Sequence, residues 1–150
     1  MDSTRLRNRY YFAYGSNMDR SQMAARCPEA VVVGQGRIIG YRFLINSPGV
    51  ATIVLRPGSE AHGVLWTITE PDEKSLDRFE GVAMGHYRKE TVEVHRSPQS
   101  SVKALTYVAT ENSPGGPREG YIERIVGAAA AHGLPTKYVE ELRSWQETGN

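Results

Sequence analysis

The carboxyl group of Glu80 is the side chain in this sequence best placed to exchange protons. It falls in the last turn of a predicted helix that begins at the N-cap Thr69 and runs to about Phe79. There the helix dipole disfavours an anion by about 0.3–1 kcal/mol. Its neighbours Phe79 and Val82 are apolar, so partial burial would raise its pKa further. A carboxyl group that titrates near neutrality suits general acid–base catalysis. The alternative is a solvent-exposed glutamate with no chemical role, as surface glutamates commonly are.

An aromatic run near the amino terminus breaks abruptly into Gly-Ser-Asn and predicts a binding turn. Tyr10 to Tyr14 suits a strand, and a short helix is predicted over Asp19 to Cys27. Between them, Gly15 allows a positive φ, while Ser16 and Asn17 can bond nearby backbone. Free backbone N–H groups at such a turn form a natural anion site. The alternative is an ordinary strand–turn–helix connection in which Asn17 caps the helix.

Bulk composition describes an ordinary soluble protein of 150 residues, long enough for one domain. Residues 1–8 are expected to form a flexible tail. The net charge of +1, without a basic block, gives no reason to expect a nucleic-acid partner. No run approaches the roughly 18 apolar residues of a membrane helix, and no signal region opens the sequence, so we expect a cytoplasmic protein without a membrane partner.

Several other chemistries lack their signatures. The glycines at 34 and 36 follow a strand-like run, but the next residues are β-like and Gly40 falls one position late for a dinucleotide motif. The four histidines are dispersed, without metal-ligand spacing, so no metal site is predicted. The single cysteine, Cys27, excludes an internal disulfide and is expected to be a buried or idle thiol. No G-x-S-x-G motif is present.

The elements that must position Glu80 and the turn alternate like a sheet protein with a few helices. Strands are predicted over Ala30 to Asn46, Ala51 to Arg56, Glu60 to Ile68, Tyr87 to His95 and Val102 to Ala109, with a turn at Pro57-Gly58. Two further helices are predicted over Arg118 to His132 and Pro135 to Trp145. Glycines inside the first long strand indicate bulges. This order argues for an α+β domain around a closed or strongly coiled sheet.

Three blocks of this sequence resemble the γ-glutamylcyclotransferase-like family, in the right order and over most of the chain. The first block is residues 12–17, the second is residues 76–82 followed by Gly85 and Tyr87, and the third runs from Tyr121 through residues 132–135 to Leu142. The resemblance implies an α+β fold with a small, distorted mixed β-barrel flanked by helices. It also implies one cavity that holds both the glutamate and the family's signature loop, which the first block (residues 12–17) resembles. The implied reaction needs no metal or cofactor.

The reaction that the resemblance implies cuts a γ-glutamyl amide without water. The substrate's own α-amine attacks its γ-carbonyl, which forms 5-oxoproline and releases a free amino acid. Glu80 would serve as the catalytic base and then as the acid, and backbone N–H groups of the loop would hold the glutamyl α-carboxylate. The residues that the resemblance assigns to substrate binding are Tyr11, Phe12, Ala13, Tyr14, Gly15, Ser16, Asn17, Tyr87 and Tyr121. For Tyr87, a packing role is an equal alternative.

The sequence leaves the leaving group open. The third block favours a γ-glutamyl-amino acid, but the same chemistry on a γ-glutamylamine, or on a γ-glutamyl-tagged biosynthetic intermediate, is the alternative. A different class is a non-catalytic binder of small molecules on the same barrel, against which the intact Glu80 argues. The expected partner is a small γ-glutamyl molecule, and a homodimer is left open.

Overall fold

A closed five-stranded barrel forms the centre of the computed structural model, which describes residues 8–149. The strands are β1 (Arg9–Ala13), β2 (Val31–Ile45), β3 (Ala51–Ile68), β4 (Tyr87–Ser97) and β5 (Ser100–Ala109). They follow the order β1-β3-β2-β4-β5 around the barrel. The β1–β5 pair is parallel and the other pairs are antiparallel, so the predicted mixed barrel is confirmed. Residues 1–7, which make up most of the predicted tail, lie outside the described residues.

Within the described part of the chain, four α-helices cover the barrel and share its hydrophobic core. They are α1 (Arg20–Arg26), α2 (Glu70–Phe79), α3 (Tyr121–Ala131) and α4 (Thr136–Arg143). A 3₁₀ turn over Ser144–Gly149 ends the described chain, so the last predicted helix is α-helical only in its first part. Buried apolar residues from all four helices belong to one cluster with the inner faces of the strands. Within residues 8–149, no helix is both long and apolar enough to cross a membrane.

The predicted turn at Pro57-Gly58 is wrong, because β3 runs continuously through it. Tyr41 of β2 pairs with Leu55 and Ile39 pairs with Glu60, so residues 56–59 bulge opposite Gly40 alone. Gly40 and Gly58 both adopt positive φ, which accommodates the extra residues. A proline is tolerated in a bulge because its missing N–H breaks no ladder hydrogen bond there. Turn-forming residues thus interrupt the strand pairing without reversing the chain.

The end of β1, from which the signature loop departs, lies unusually close to Gly63 of β3. A Cβ on Gly63 would stand 2.8 Å from Phe12 Cζ and closer still to the carbonyl oxygen of Ala13. Only glycine therefore lets β1 approach its neighbour here. Phe12 itself is fully buried in the barrel. This packing sets where the loop after Ala13 begins.

Candidate active site

One pocket of about 280 Å³ lies between the loop after β1 and the end of α2. It brings together most of the residues that the sequence assigned to the site. Those in its wall are Tyr11, Tyr14, Gly15, Ser16, Asn17, Glu80, Tyr87 and Tyr121. Val50, Ala51, Phe79, Tyr107, Arg26 and Arg118 complete the wall. Phe12 and Ala13 lie in the barrel core instead and do not line this pocket.

Local sequence signals at both ends of α2 determine where Glu80 falls. The Thr69 side chain accepts a hydrogen bond from Asp72 N at 3.3 Å, and the Asp72 carboxylate accepts one from Thr69 N at 3.2 Å. This reciprocal capping box starts the helix as the sequence predicted. At the other end, Gly81 adopts a φ of +62° and closes the helix. Glu80 is consequently the last residue before the chain turns away.

Asp77 and Ser75 fix α2 against the rest of the fold. Asp77 accepts a 2.7 Å hydrogen bond from the Tyr107 hydroxyl of β5 and pairs with Lys89 of β4 at 3.1 Å. On the neighbouring turn, the Ser75 hydroxyl donates to the Arg26 carbonyl oxygen at 2.6 Å. The helix that carries Glu80 is therefore held by the barrel and by α1 together.

The environment of Glu80 makes its carboxyl group a poor acid. Burial raises its pKa to about 7, and the positive charge of Arg26 partly opposes the rise. Glu80 Oε1 accepts a hydrogen bond from Asn17 Nδ2 at 3.5 Å. The prediction of a raised pKa is confirmed, and burial is its main cause. Near neutral pH, both protonation states of Glu80 are populated.

The loop that faces Glu80 differs from its predicted conformation in two respects. Gly15 has a φ of −118°, so the loop does not use the positive φ that we expected there. A Cβ on Gly15 would lie 3.3 Å from the Ala51 side chain, which makes close packing the reason for a small residue. The cap of α1 is Asp19, whose carboxylate accepts a hydrogen bond from Gln22 N at 2.9 Å. The alternative in which Asn17 caps the helix is therefore wrong.

Asn17 instead organises the polar side of the pocket. Its Nδ2 donates to the Tyr11 hydroxyl at 2.9 Å, and its Oδ1 accepts from Gln22 Nε2 at 2.9 Å and from Arg26 Nη1 at 3.0 Å. Gln22 Nε2 also donates to Ser16 Oγ at 2.7 Å. These bonds fix the amide orientation, so that its N–H₂ group points toward Tyr11 and Glu80. The buried Asn17 therefore links the loop, α1 and the carboxyl group.

Five tyrosines line the pocket as neutral hydrogen-bonding groups. Burial raises the pKa of each phenol, so none is ionised at neutral pH. Tyr87 donates to the Ala51 carbonyl oxygen at 2.6 Å, and Tyr14 donates to the Tyr107 carbonyl oxygen. Tyr121 accepts a hydrogen bond from Ala51 N at 3.0 Å and also interacts with the Ser16 side chain. The Tyr87 and Tyr14 protons are used by backbone carbonyl oxygens.

Arg26 and Arg118 are the charged pocket residues that sequence reasoning missed. A usable signal existed for Arg26, because Gln22 and Arg26 are four residues apart on one face of the helix that follows the loop. Its guanidinium also stacks over the Phe79 ring at 4.5 Å. No local pattern marked Arg118, which reaches the pocket through the turn before α3. Cys27, by contrast, is buried as expected, and burial raises the pKa of its thiol to about 12.

Known proteins resemble this chain in sequence and in fold. The model of the AIG2-like family matches residues 60–142, a range that includes Glu80 and Tyr121 but not the loop. The chain is 31% identical to a γ-glutamylcyclotransferase from Bos taurus and 30% identical to one from Homo sapiens. Each alignment covers 89% of this chain and 77% of the relative. A solved γ-glutamyl cyclotransferase structure superposes with a TM-score of 0.86 at 30% identity, over 92% of this chain and 88% of that one.

Fold and site together define the class, which is a small mixed barrel with one half-buried carboxyl group in a tyrosine-lined pocket. Within that class, the chain belongs to the AIG2-like family, as a relative of the γ-glutamylcyclotransferases. The resemblance read from the three sequence blocks is thereby confirmed.

Proposed function

We propose that this chain is a γ-glutamylcyclotransferase in which Glu80 transfers the protons. It converts a γ-glutamyl-amino acid to 5-oxoproline and a free amino acid. The observation that carries the proposal is a single glutamate with a pKa of about 7 in the pocket wall, opposite the loop of residues 14–17. The relatives named above share the activity by name and match most of the chain.

Binding of the glutamyl end is the first requirement of this reaction. Among the described residues, no acceptor bonds the backbone N–H groups of Gly15 and Ser16. They are available to hold the glutamyl α-carboxylate, and the Tyr121 hydroxyl lies close to Gly15. Fixing the α-carboxylate also fixes the α-amine against the γ-carbonyl of the same molecule. Ring closure gains strongly from such positioning because both reacting groups are already in one chain.

Proton transfer through Glu80 then balances the reaction. The α-amine arrives as an ammonium group, which cannot attack until it loses a proton. The Glu80 carboxylate takes that proton, and the amine nitrogen bonds to the γ-carbonyl carbon. The protonated Glu80 next gives its proton to the departing nitrogen as the amide bond breaks. The ring nitrogen then loses its remaining extra proton, which the departing amine takes up through Glu80 or solvent, so that the lactam is neutral and the product amine is an ammonium group. A pKa of about 7 suits both steps, because neither protonation state is strongly disfavoured at neutral pH.

In this proposal the other site residues position the loop and Glu80 and take no part in proton transfer. Asn17 orients the face of the loop that meets Glu80, and Arg26 holds Asn17 while limiting the rise of the Glu80 pKa. Tyr87 is a wall of the pocket, since its hydroxyl proton is committed to Ala51 O. The cytoplasm is the proposed compartment, and a homodimer stays a prediction.

The test is turnover of purified protein on a panel of γ-glutamyl dipeptides and γ-glutamylamines, with 5-oxoproline detected by mass spectrometry. Glu80→Gln should lower turnover by about 10²-fold or more, because both proton transfers lose their carrier. The matched control is Glu29→Gln, which makes the same charge change at an exposed site outside the pocket. Wild-type turnover in Glu80→Gln would refute the mechanism, and no product from any substrate would favour the non-catalytic binder.

A further inference from the structure

Arg118 places a positive charge on the pocket that the reaction described above does not use. It lies two residues before the N-cap Gly120 of α3, and its side chain is exposed at the pocket wall. Among the side chains that the structure describes, no carboxylate pairs with it. Its charge acts on the neighbouring Tyr87 phenol and lowers that group's pKa against the larger effect of burial. A binding pocket thus contains an arginine whose charge has no partner.

The turn between β2 and β3 holds Arg118 in place. Its backbone N–H donates to Gly49 O at 3.2 Å, and its Nε donates to Pro48 O at 3.1 Å. Gly49 has a φ of +93°, and a Cβ at that position would stand 2.8 Å from Arg118 Cγ. The side-chain stem therefore packs on a turn that only glycine can form. Such contacts reduce the conformational entropy that the side chain would lose on binding a ligand.

These contacts leave the end of the guanidinium group free. Nε is used by Pro48 O, but the four N–H donors on the two Nη atoms bond no described acceptor. Two parallel N–H donors match the two oxygens of a carboxylate, which gives both strength and orientation. Arg118 is consequently built to receive an anion of carboxylate shape from the pocket side.

The charged groups of the substrate indicate which carboxylate Arg118 receives. The scissile amide must lie beside Glu80, and the loop of residues 14–17 takes the glutamyl end in the proposed function. The second pocket arginine, Arg26, already donates to Asn17 and stacks on Phe79. Arg118 is therefore the pocket cation that remains for a second carboxylate of the substrate. An amino acid that leaves carries an α-carboxylate, whereas an amine does not.

We propose that Arg118 binds the α-carboxylate of the leaving amino acid and thereby selects γ-glutamyl-amino acids over γ-glutamylamines. This inference rests on the proposed cyclotransferase function and assigns the residue that determines its preference for amino-acid leaving groups. Arg118 touches no reacting atom, so it determines specificity and is not a catalytic residue. Its contact exists in the bound substrate as well as in the transition state, and the loss of such a contact raises KM more than it lowers kcat.

The experiment compares γ-glutamyl-alanine with γ-glutamyl-ethylamine, which differ only by the leaving-group carboxylate. Arg118→Gln should lower kcat/KM for γ-glutamyl-alanine by about 10- to 100-fold, mostly through KM, as expected for loss of a charge-assisted bidentate pair. For γ-glutamyl-ethylamine the change should stay within about threefold, since no carboxylate is present. Arg118→Lys should fall between wild type and Arg118→Gln, because it keeps the charge without the fork. Arg143→Gln, at an exposed arginine outside the pocket, is the control for net charge and should match wild type.

Three results would overturn the inference. An equal loss on both substrates would mean that Arg118 holds the glutamyl end, and no loss on either would mean that it binds no substrate. In both cases wild-type turnover would leave the proposed function standing. Absence of 5-oxoproline from both substrates with the wild-type protein would instead refute the proposed function and this inference together.

Discussion

Replacement of Glu80 by glutamine should inactivate the protein. It should also raise the free energy of unfolding relative to wild type, and this gain should be larger at alkaline pH than at acid pH. The folded state holds the Glu80 proton up to a pKa of about 7, while the ordinary value for an unfolded glutamate is 4.5. Between these two values the folded state binds more protons than the unfolded state. The free energy of unfolding of the wild type therefore falls as pH rises from about 4.5 to about 7, and it levels off above that. Glutamine does not titrate, so the variant lacks this loss.

The size of the effect follows from the difference between the two pKa values. At about 1.36 kcal/mol per pKa unit, the gap corresponds to ~3 kcal/mol as an upper value, because the Glu80 residue is half-buried and water reaches part of it. Between pH 5 and pH 8, the unfolding free energy of Glu80→Gln minus that of wild type should rise by roughly 2 kcal/mol. For a chain of this length, that corresponds to about 4–8 °C in melting temperature.

The assay is urea unfolding of wild type, Glu80→Gln and Glu29→Gln at pH 5, 6, 7 and 8. Comparing one variant across pH removes any constant effect of the new amide, and Glu29→Gln reports the same charge change at an exposed site. A Glu80→Gln difference that is the same at pH 5 and pH 8 would refute the raised pKa of the half-buried Glu80 carboxyl group. The catalytic argument built on that carboxyl group would then lose its physical basis.

Two further predictions concern the pH dependence of the reaction and the packing of the barrel. The kcat/KM for a γ-glutamyl dipeptide should rise with pH through about 7, since Glu80 of the free enzyme must be deprotonated to accept the ammonium proton. Arg26→Gln should move this rise to higher pH, because the positive charge of Arg26 lowers the Glu80 pKa in the wild type. An unchanged pH profile in that variant would contradict the electrostatic role of Arg26. Gly63→Ala should destabilise the fold by about 1–3 kcal/mol or more in urea unfolding, because its Cβ would overlap Phe12. The control is Gly127→Ala, at an exposed helical position with open space around it, which should stabilise the fold by about 0.5–1 kcal/mol. Similar effects of the two substitutions on the free energy of unfolding would show that β1 does not pack tightly against Gly63.

Elements bounded by local interactions could be predicted well from the sequence. The capping box at Thr69 and Asp72 and the helix end at Gly81 were both predictable, because each involves residues within a few positions of one another. The β4–β5 hairpin was predictable for the same reason. Glu80 became a candidate through its place at the end of that helix, and its raised pKa agrees with the apolar neighbours.

Features that depend on distant partners were beyond sequence reasoning. Pro57-Gly58 has the composition of a turn, yet pairing with β2 on both sides of the bulge keeps the strand continuous. Asn17 has the composition of a cap, but Tyr11, Gln22 and Arg26 recruit its amide to the pocket instead. In both cases the local preference is about 1 kcal/mol, and several tertiary contacts together exceed it.

The sequence by itself determined where the helix before Glu80 ends and that a strand breaks at Gly15, since both properties depend on neighbouring residues. It also determined the family, because the three sequence blocks occur in the same order as in that family. Only the tertiary structure decided which charges meet in the pocket. Arg118 comes from the segment before α3 and is held by the turn at Gly49, so its approach to Tyr87 requires the closed barrel. The pKa of Glu80 likewise depends on burial, which no residue acquires until the chain has folded around it.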